Sequence, residues 1–154
     1  MAMWILPEDK NSSVLQYPTR KGMSVFGAVN IRTGEFAGMM SDVFNAITFL
    51  RFLTILMKRG KEKKMQIILD NARYHHAKLL LPWLEKEKDL LFLDYLPPYS
   101  PKQSPIERMW KLLEKLKLHN QYFPDLKGII KVVARQFLFW IGEIEILKTL
   151  CPAE

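Results

Sequence analysis

Cysteine is almost absent from this chain. Cys151 is the single one among 154 residues, so no internal disulfide can form, and no cluster of Cys and His suggests a zinc site. That usage fits a reducing, cytoplasmic compartment. Long apolar runs are missing too. The longest, around Ala46 to Met57, contains Arg51 and is too short to span a bilayer. The N-terminus lacks the basic-then-apolar pattern of a secretory leader. Internal repeats and low-complexity runs are absent, which excludes solenoid and tail-like readings. Acidic residues are scarce relative to basic ones, 16 against 23, for a formal net charge of +7. A basic globular domain points to a polyanionic partner, nucleic acid first, although surplus lysine on a soluble surface gives the same composition.

What is present is enough for one core. Hydrophobic residues make up 49% of the chain, with nine Phe and four Trp, so the whole of 1–154 reads as a single domain. Residues 1–20, with two prolines and a polar cluster, read as an irregular segment. Residues 21–120 form the core and 121–154 the C-terminal helices.

Within that core, Met23 to Asn30 and Glu35 to Met40 are short β-forming runs flanking the turn Arg32-Thr33-Gly34, which predicts an antiparallel hairpin. From Asp42 the period becomes helical through Val43, Ile47, Leu50 and Leu53. Asp42 serves as N-cap and Lys58-Arg59-Gly60 as the stop. Met65 to Leu69 is a continuous apolar run ending at Asp70, the pattern of a strand covered on both faces. A helix is predicted from His76 to Lys88, kinked or restarted at Pro82, followed by a strand from Leu90 into Tyr95. After the loop from Leu96 to Pro101, Ser104 caps a helix with Pro105 first and Glu107 completing a capping box. Its apolar stripe is Ile106, Met109/Trp110, Leu113 and Leu116/Lys117. Pro124-Asp125 opens a last helix through Ile129, Val133, Phe137, Trp140 and Ile141, with a shorter continuation to Leu150. Strands alternating with helices after an antiparallel start predict an α/β domain on a mixed sheet.

Two carboxylates stand out by position. Asp70 ends an apolar strand, at the sheet edge where α/β sites concentrate, and Glu107 lies in the first turn of a helix behind a proline-stiffened loop. Together they are candidates for binding Mg2+ through hard oxygen ligands. The structural alternatives are a strand-end Asp capping its own turn and a Glu serving only in a capping box.

The surrounding words carry more information than either acid alone. Asp70-Asn71-Ala72-Arg73-Tyr74-His75, and the block from Leu96 through Pro105-Ile106-Glu107-Arg108-Met109-Trp110, resemble the two signature blocks of mariner-like bacterial insertion-sequence transposases of the DDE superfamily. The interval of 36 residues, 71 to 106, is close to the family's own. Phe26-Gly27-Ala28 and Thr33-Gly34 resemble the family's second and third strands, and the likeness runs from Trp4 to Trp140. It implies an RNase H-like fold, a mixed sheet with flanking helices. It also implies that Asp70 and Glu107 are the second and third catalytic, metal-binding carboxylates of a site holding two Mg2+ (or Mn2+) ions, with Asn71 and His75 nearby. His75 either contacts substrate or orders the site, and His76 reads as incidental. Arg73, Lys102, Arg108, Lys111 and Lys115 are the expected DNA-backbone contacts. Tyr99 and Trp110 could stack on bases, but Trp110 falls on the apolar stripe and is assigned to the core.

The same resemblance implies something missing. The family's first Asp lies on the first, central strand, and the chain starts in the loop after it. Asp9, Asp42 and Asp94 are poor substitutes. Gln103, Ser104 and Glu114 also depart from the family pattern, the last replacing a frequent Lys, and no helix-turn-helix region precedes the hairpin. The expectation is therefore the catalytic-domain portion of a DNA transposase, inactive alone, completed by a missing N-terminal segment or a homodimer partner. The alternatives are a non-catalytic basic remnant that binds DNA weakly or associates with intact transposase, and another RNase H-like nuclease.

Overall fold

The computed structural model describes residues 22–61, 63–97, 105–119 and 121–142. Its first unit is the hairpin of β1 (Ser24–Val29) and β2 (Phe36–Ser41), paired antiparallel with Gly27 opposite Gly38. Asn30 closes the turn, its Oδ1 accepting the backbone N–H groups of Arg32 and Thr33 at 2.9 and 3.2 Å. Gly34 takes the positive φ of 77° that the turn requires. The second unit is a parallel pair, β3 (Met65–Leu69) with β4 (Leu91–Tyr95). Among the described residues the two pairs share no strand hydrogen bonds. The central strand expected between such pairs falls outside these residues.

Helix α1 (Ala46–Gly60) underlies both pairs. Its Phe49, Phe52, Leu53 and Leu56 share one core cluster with Phe26 and Ala37 of the hairpin and Leu69 of β3. This shared helix holds two unpaired sheets in one layer. Arg59 adds a polar tie, its Nη1 donating to the Phe36 carbonyl at 2.9 Å. The N-cap is Asn45 and not Asp42. The Asn45 side chain accepts from Thr48 N at 2.9 Å and Thr48 Oγ1 accepts from Asn45 N at 3.0 Å, a reciprocal box that a free aspartate three residues earlier cannot make. The buried stripe is accordingly displaced from the one periodicity suggested, and Val43 and Ile47 lie exposed. At the other end Lys61, not Gly60, takes the left-handed conformation, with φ 48°.

Two short 3-10 turns, Arg73–His76 and Lys78–Leu80, replace the first half of the expected second helix. Helix α2 (Leu81–Glu87) begins only at Pro82's turn. That is the restart the proline dictates, since its ring cannot follow a regular helical turn. The strand β3 departs from expectation in one respect. Its Met65, Ile67 and Leu69 face the core, but Gln66 and Ile68 are exposed, as is Phe92 of β4. One face of this sheet is therefore open to solvent among the described residues.

Helix α3 (Pro105–Leu113), a π-helical turn (Glu114–Leu118) and α4 (Leu126–Gly142) form the opposite layer. Asp125 caps α4, its Oδ1 accepting from Gly128 N at 2.8 Å. Met109, Leu113, Val133, Phe137 and Trp140 pack with Phe36 on the hairpin face that α1 does not cover. Ile141, expected in that stripe, lies exposed, as does Leu116. The widened π turn explains Leu116, because an extra residue per turn rotates it off the line set by Met109 and Leu113. The expected Ser104 cap and the continuation to Leu150 lie outside the described residues.

This layer depends on two glycines. A Cβ on Gly27 would lie 2.5 Å from the Trp110 ring, and one on Gly38 would lie 2.6 Å from the Phe137 ring. Both rings are part of a tightly interlocked aromatic group with Phe36 and Trp140, so neither can step aside freely. Gly27→Ala is expected to lower stability by about 1–3 kcal/mol through overpacking, whereas Gly22→Ala, with open space around it, leaves urea midpoints unchanged. Equal midpoints for the two variants would refute the close-approach account.

Candidate functional site

Asp70 stands one residue past the last rung of the β3–β4 ladder, where Leu69 pairs with Tyr95. Strand alternation sends Leu69 inward and Asp70 outward, and the Asp70 side chain is 74% exposed. One of its oxygens is engaged: Oδ1 accepts from Ala72 N at 3.1 Å and lies 3.1 Å from His75 Nδ1. No described residue hydrogen-bonds to Oδ2. Thus the turn-capping alternative is partly realised, yet it leaves a hard oxygen donor facing solvent.

The turn behind Asp70 is pinned by aromatic packing. Tyr74 lies against Phe26, Phe44 and Phe49, stacked on the Phe44 ring at 5.9 Å and 4°. His75 is 7% exposed and 4.3 Å from the Phe49 ring. Its Nδ1 lies 2.9 Å from the Asp70 carbonyl oxygen. A carbonyl only accepts, so neutral His75 carries its proton on Nδ1. Burial holds the His75 pKa below its ordinary value near 6.5, against the opposing pull of the Asp70 carbonyl and carboxylate. His75 is thus enclosed and tied to the Asp70 backbone. Burial and the Asp70 charge push Tyr74 upward, and burial does the same for Tyr95.

Asn71 ties the two signature blocks together. Its Nδ2 donates to the Leu96 carbonyl at 2.6 Å, and its Oδ1 lies 3.1 Å from His76 Nε2. Leu96 N also donates to the Leu69 carbonyl at 2.8 Å. The start of the loop leading to Glu107 is thus clamped to the strand end bearing Asp70. His76, read from sequence as incidental, completes the clamp by stacking on Tyr95 at 4.4 Å. Its i+5 relation to Asn71 follows from the 3-10 turn and matches no helical or strand period, so pattern reading had no means of pairing them.

Glu107 is half-buried in the first turn of α3. Trp110, one turn later, docks on Gly27 and confirms the core assignment. Arg73, Arg108, Lys111 and Lys115 are exposed, while Lys102 and Tyr99 lie outside the described residues. The structure thus sets His75 against Asp70, ties Asn71 to Leu96 and His76, and puts Glu107, Arg108 and Lys111 on a separate helix. No group of three or more His, Cys, Asp or Glu residues disposed around one ion occurs among the described residues. Asp94 shares the outward face of Asp70, but its carboxylate is taken by the Gln66 amide. Asp42 is exposed and caps nothing. Two surface grooves, at Met57–Lys58 and at Arg135–Phe139, do not include Asp70 or Glu107.

Comparison with known families settles the affiliation. The profile of the DDE superfamily endonuclease family matches residues 3–130. The chain belongs to that family. An uncharacterised protein of Sinorhizobium fredii (strain NBRC 101917 / NGR234), y4pE/y4sA, is 29% identical to this DDE-family chain over 107 residues, covering 69% of the chain and 76% of that protein. Among solved structures, the Mos1 strand transfer complex matches with a TM-score of 0.53 at 19% identity, over 97% of this chain and 47% of the Mos1 chain. The fold is therefore the RNase H-like one, and the DDE-family chain spans about half the length of its structural relative. No helix among the described residues is long and apolar enough to cross a membrane.

The buried histidine has a measurable consequence for pH. Because the folded state lowers the His75 pKa, the unfolded chain binds its proton more readily. The stabilising contribution is complete above pH 6.5 and declines as pH falls below that value. Urea midpoints are expected to drop between pH 7 and 5, and this component should vanish in His75→Gln. An undiminished pH slope in that variant would remove His75 as its source.

Proposed function

We propose that this chain supplies the second and third carboxylates, Asp70 and Glu107, of a divalent-metal-dependent transposase site that cleaves and joins DNA strands. The observation that carries the reading is the Asp70–Asn71–Leu96 junction. It fixes an exposed carboxylate oxygen at a strand end and anchors the loop running to Glu107. Family membership supplies the chemical class.

The residues fit a metal in part. An ionised carboxylate with a free oxygen is a suitable ligand for Mg2+ or Mn2+, and Glu107 adds a second. Divalent ions held there would supply Lewis-acid activation of the attacking oxygen and stabilisation of the leaving one, with Asp70 and Glu107 among the residues that would hold them. We assign no further metal-holding acid to the described residues, and the polypeptide alone is expected not to cut DNA. Within this chain, Asp70 and Glu107 present oxygens, His75 and Asn71 orient the first of them, and Arg73, Lys102, Arg108, Lys111 and Lys115 engage phosphates without reading bases. A cytoplasmic location suits the lone cysteine and a DNA substrate.

Mn2+ titration followed by electron paramagnetic resonance tests the carboxylate assignment. Asp70→Asn and Glu107→Gln should each weaken binding severalfold with the fold intact. Unchanged Mn2+ affinity in both folded variants refutes the site and favours a non-catalytic, DNA-binding remnant. Plasmid nicking by the isolated chain in Mg2+ or Mn2+, abolished by Asp70→Ala, would instead refute its expected inactivity alone.

A further inference from the structure

Helix α4 carries a row of cations that no signature block contains. Lys127, Lys131 and Arg135 recur at i, i+4 and i+8, so they lie within an arc of about 80° at intervals of about 6 Å along the axis. All three are exposed, directly opposite the buried Ile129–Val133–Trp140 side. Helix α4 contains no acidic residue, and none of the three forms an ion pair among the described residues. The row ends at a groove of about 240 Å³ lined by Arg135, Gln136 and Phe139 on one side and Lys117 on the other. Phe139 is 50% exposed there. Lys117 belongs to the π turn, and the continued apolar stripe of α3 would have enclosed it in the core; the widened turn leaves it exposed.

A solvated lysine face normally mixes signs to favour solubility and internal pairing. Here three cations of one sign form a row whose Arg135 end lines, together with Lys117, a groove with a half-exposed aromatic ring. That is the chemistry of a nucleic-acid backbone contact, with charge for the phosphates and a ring for sugar or base. We infer that Lys117, Lys127, Lys131 and Arg135 form a second docking surface for duplex DNA, separate from the residues of the Asp70 and Glu107 blocks. The inference rests on the proposed DNA function and extends it: a strand-joining enzyme must hold two DNA segments, and this surface is suited to the one not being held at the carboxylates.

The test is fluorescence anisotropy with a random-sequence duplex of 30 base pairs in EDTA, at several salt concentrations, using the full chain. Changing all four residues to Gln should weaken binding by about tenfold or more near 0.1 M salt. It should also reduce the slope of log K against log salt by about 3 to 4. Lys111→Gln with Lys115→Gln should lower the slope separately and additively. Thermal denaturation verifies that the variants fold, and single Lys131→Gln, with a slope change near 1, serves if the fourfold variant does not. An unchanged slope in folded variants overturns the inference, as does failure of the unaltered chain to bind DNA, or equal competition by polyglutamate or by phosphatidylserine vesicles. Because the assay contains no metal, its failure leaves the Mn2+ result for Asp70 and Glu107 standing, and the converse also holds.

Discussion

The whole C-terminal layer rests on the absence of two methyl groups. Gly27 and Gly38 face one another across the hairpin, and the missing Cβ atoms open a flat floor onto which Trp110 and Phe137 descend. Aromatic rings contribute large buried areas and prefer defined mutual angles, so their seating fixes both rotation and height of the helices that carry them. Trp110 is one helical turn from Glu107. Whatever Glu107 does chemically, its position is decided by a contact made one turn along the same helix.

Asp70 is held by a different route, through α1. Tyr74 and His75 insert into the aromatic end of the core beneath the hairpin, and the Asp70 backbone follows from them. The two candidate acids therefore reach their places from opposite faces of one hairpin, α1 below and α3 above. The Asn71–Leu96 bond crosses from the Asp70 turn to the loop that leads to Glu107. A polar bond at an exposed strand end is worth little in stability. Its value is in geometry, since it fixes the direction in which the backbone at Leu96 leaves the strand end.

Much of this was legible in the residues. The hairpin, both strands of the parallel pair, the proline restart at α2 and the starts of α3 and α4 follow from turn chemistry, period and caps. The signature words named the family that the profile match shows. What escaped reading has specific causes. Asp42 and Asn45 are equally good caps in isolation, and only Thr48 three residues after Asn45 decides between them. A continuous apolar run says that Met65–Leu69 is a strand, but not that Ile68 has no cover. His76 and Asn71 meet through a 3-10 turn whose spacing belongs to no regular period. The π turn at 114–118 escapes pattern reading, since EKLKL fits a continued α-helix equally well.

That π turn links the fold to the charge distribution. Had α3 continued with α-helical spacing, Leu116 and Lys117 would extend the buried stripe, and a lysine ammonium would have to be desolvated or displaced. Widening the helix by one residue is the cheaper resolution, since a single π turn disturbs only a few backbone hydrogen bonds. The consequence is that Lys117 is exposed at the groove of Arg135. A local conflict between helical period and charge thus sets a cation opposite α4, whose solvent side carries Lys127, Lys131 and Arg135 alongside exposed Leu138, Phe139 and Ile141. The net charge of +7 read from composition is in this way not spread evenly: part of it is gathered by secondary structure into one row, and a row is what a polyanion can follow.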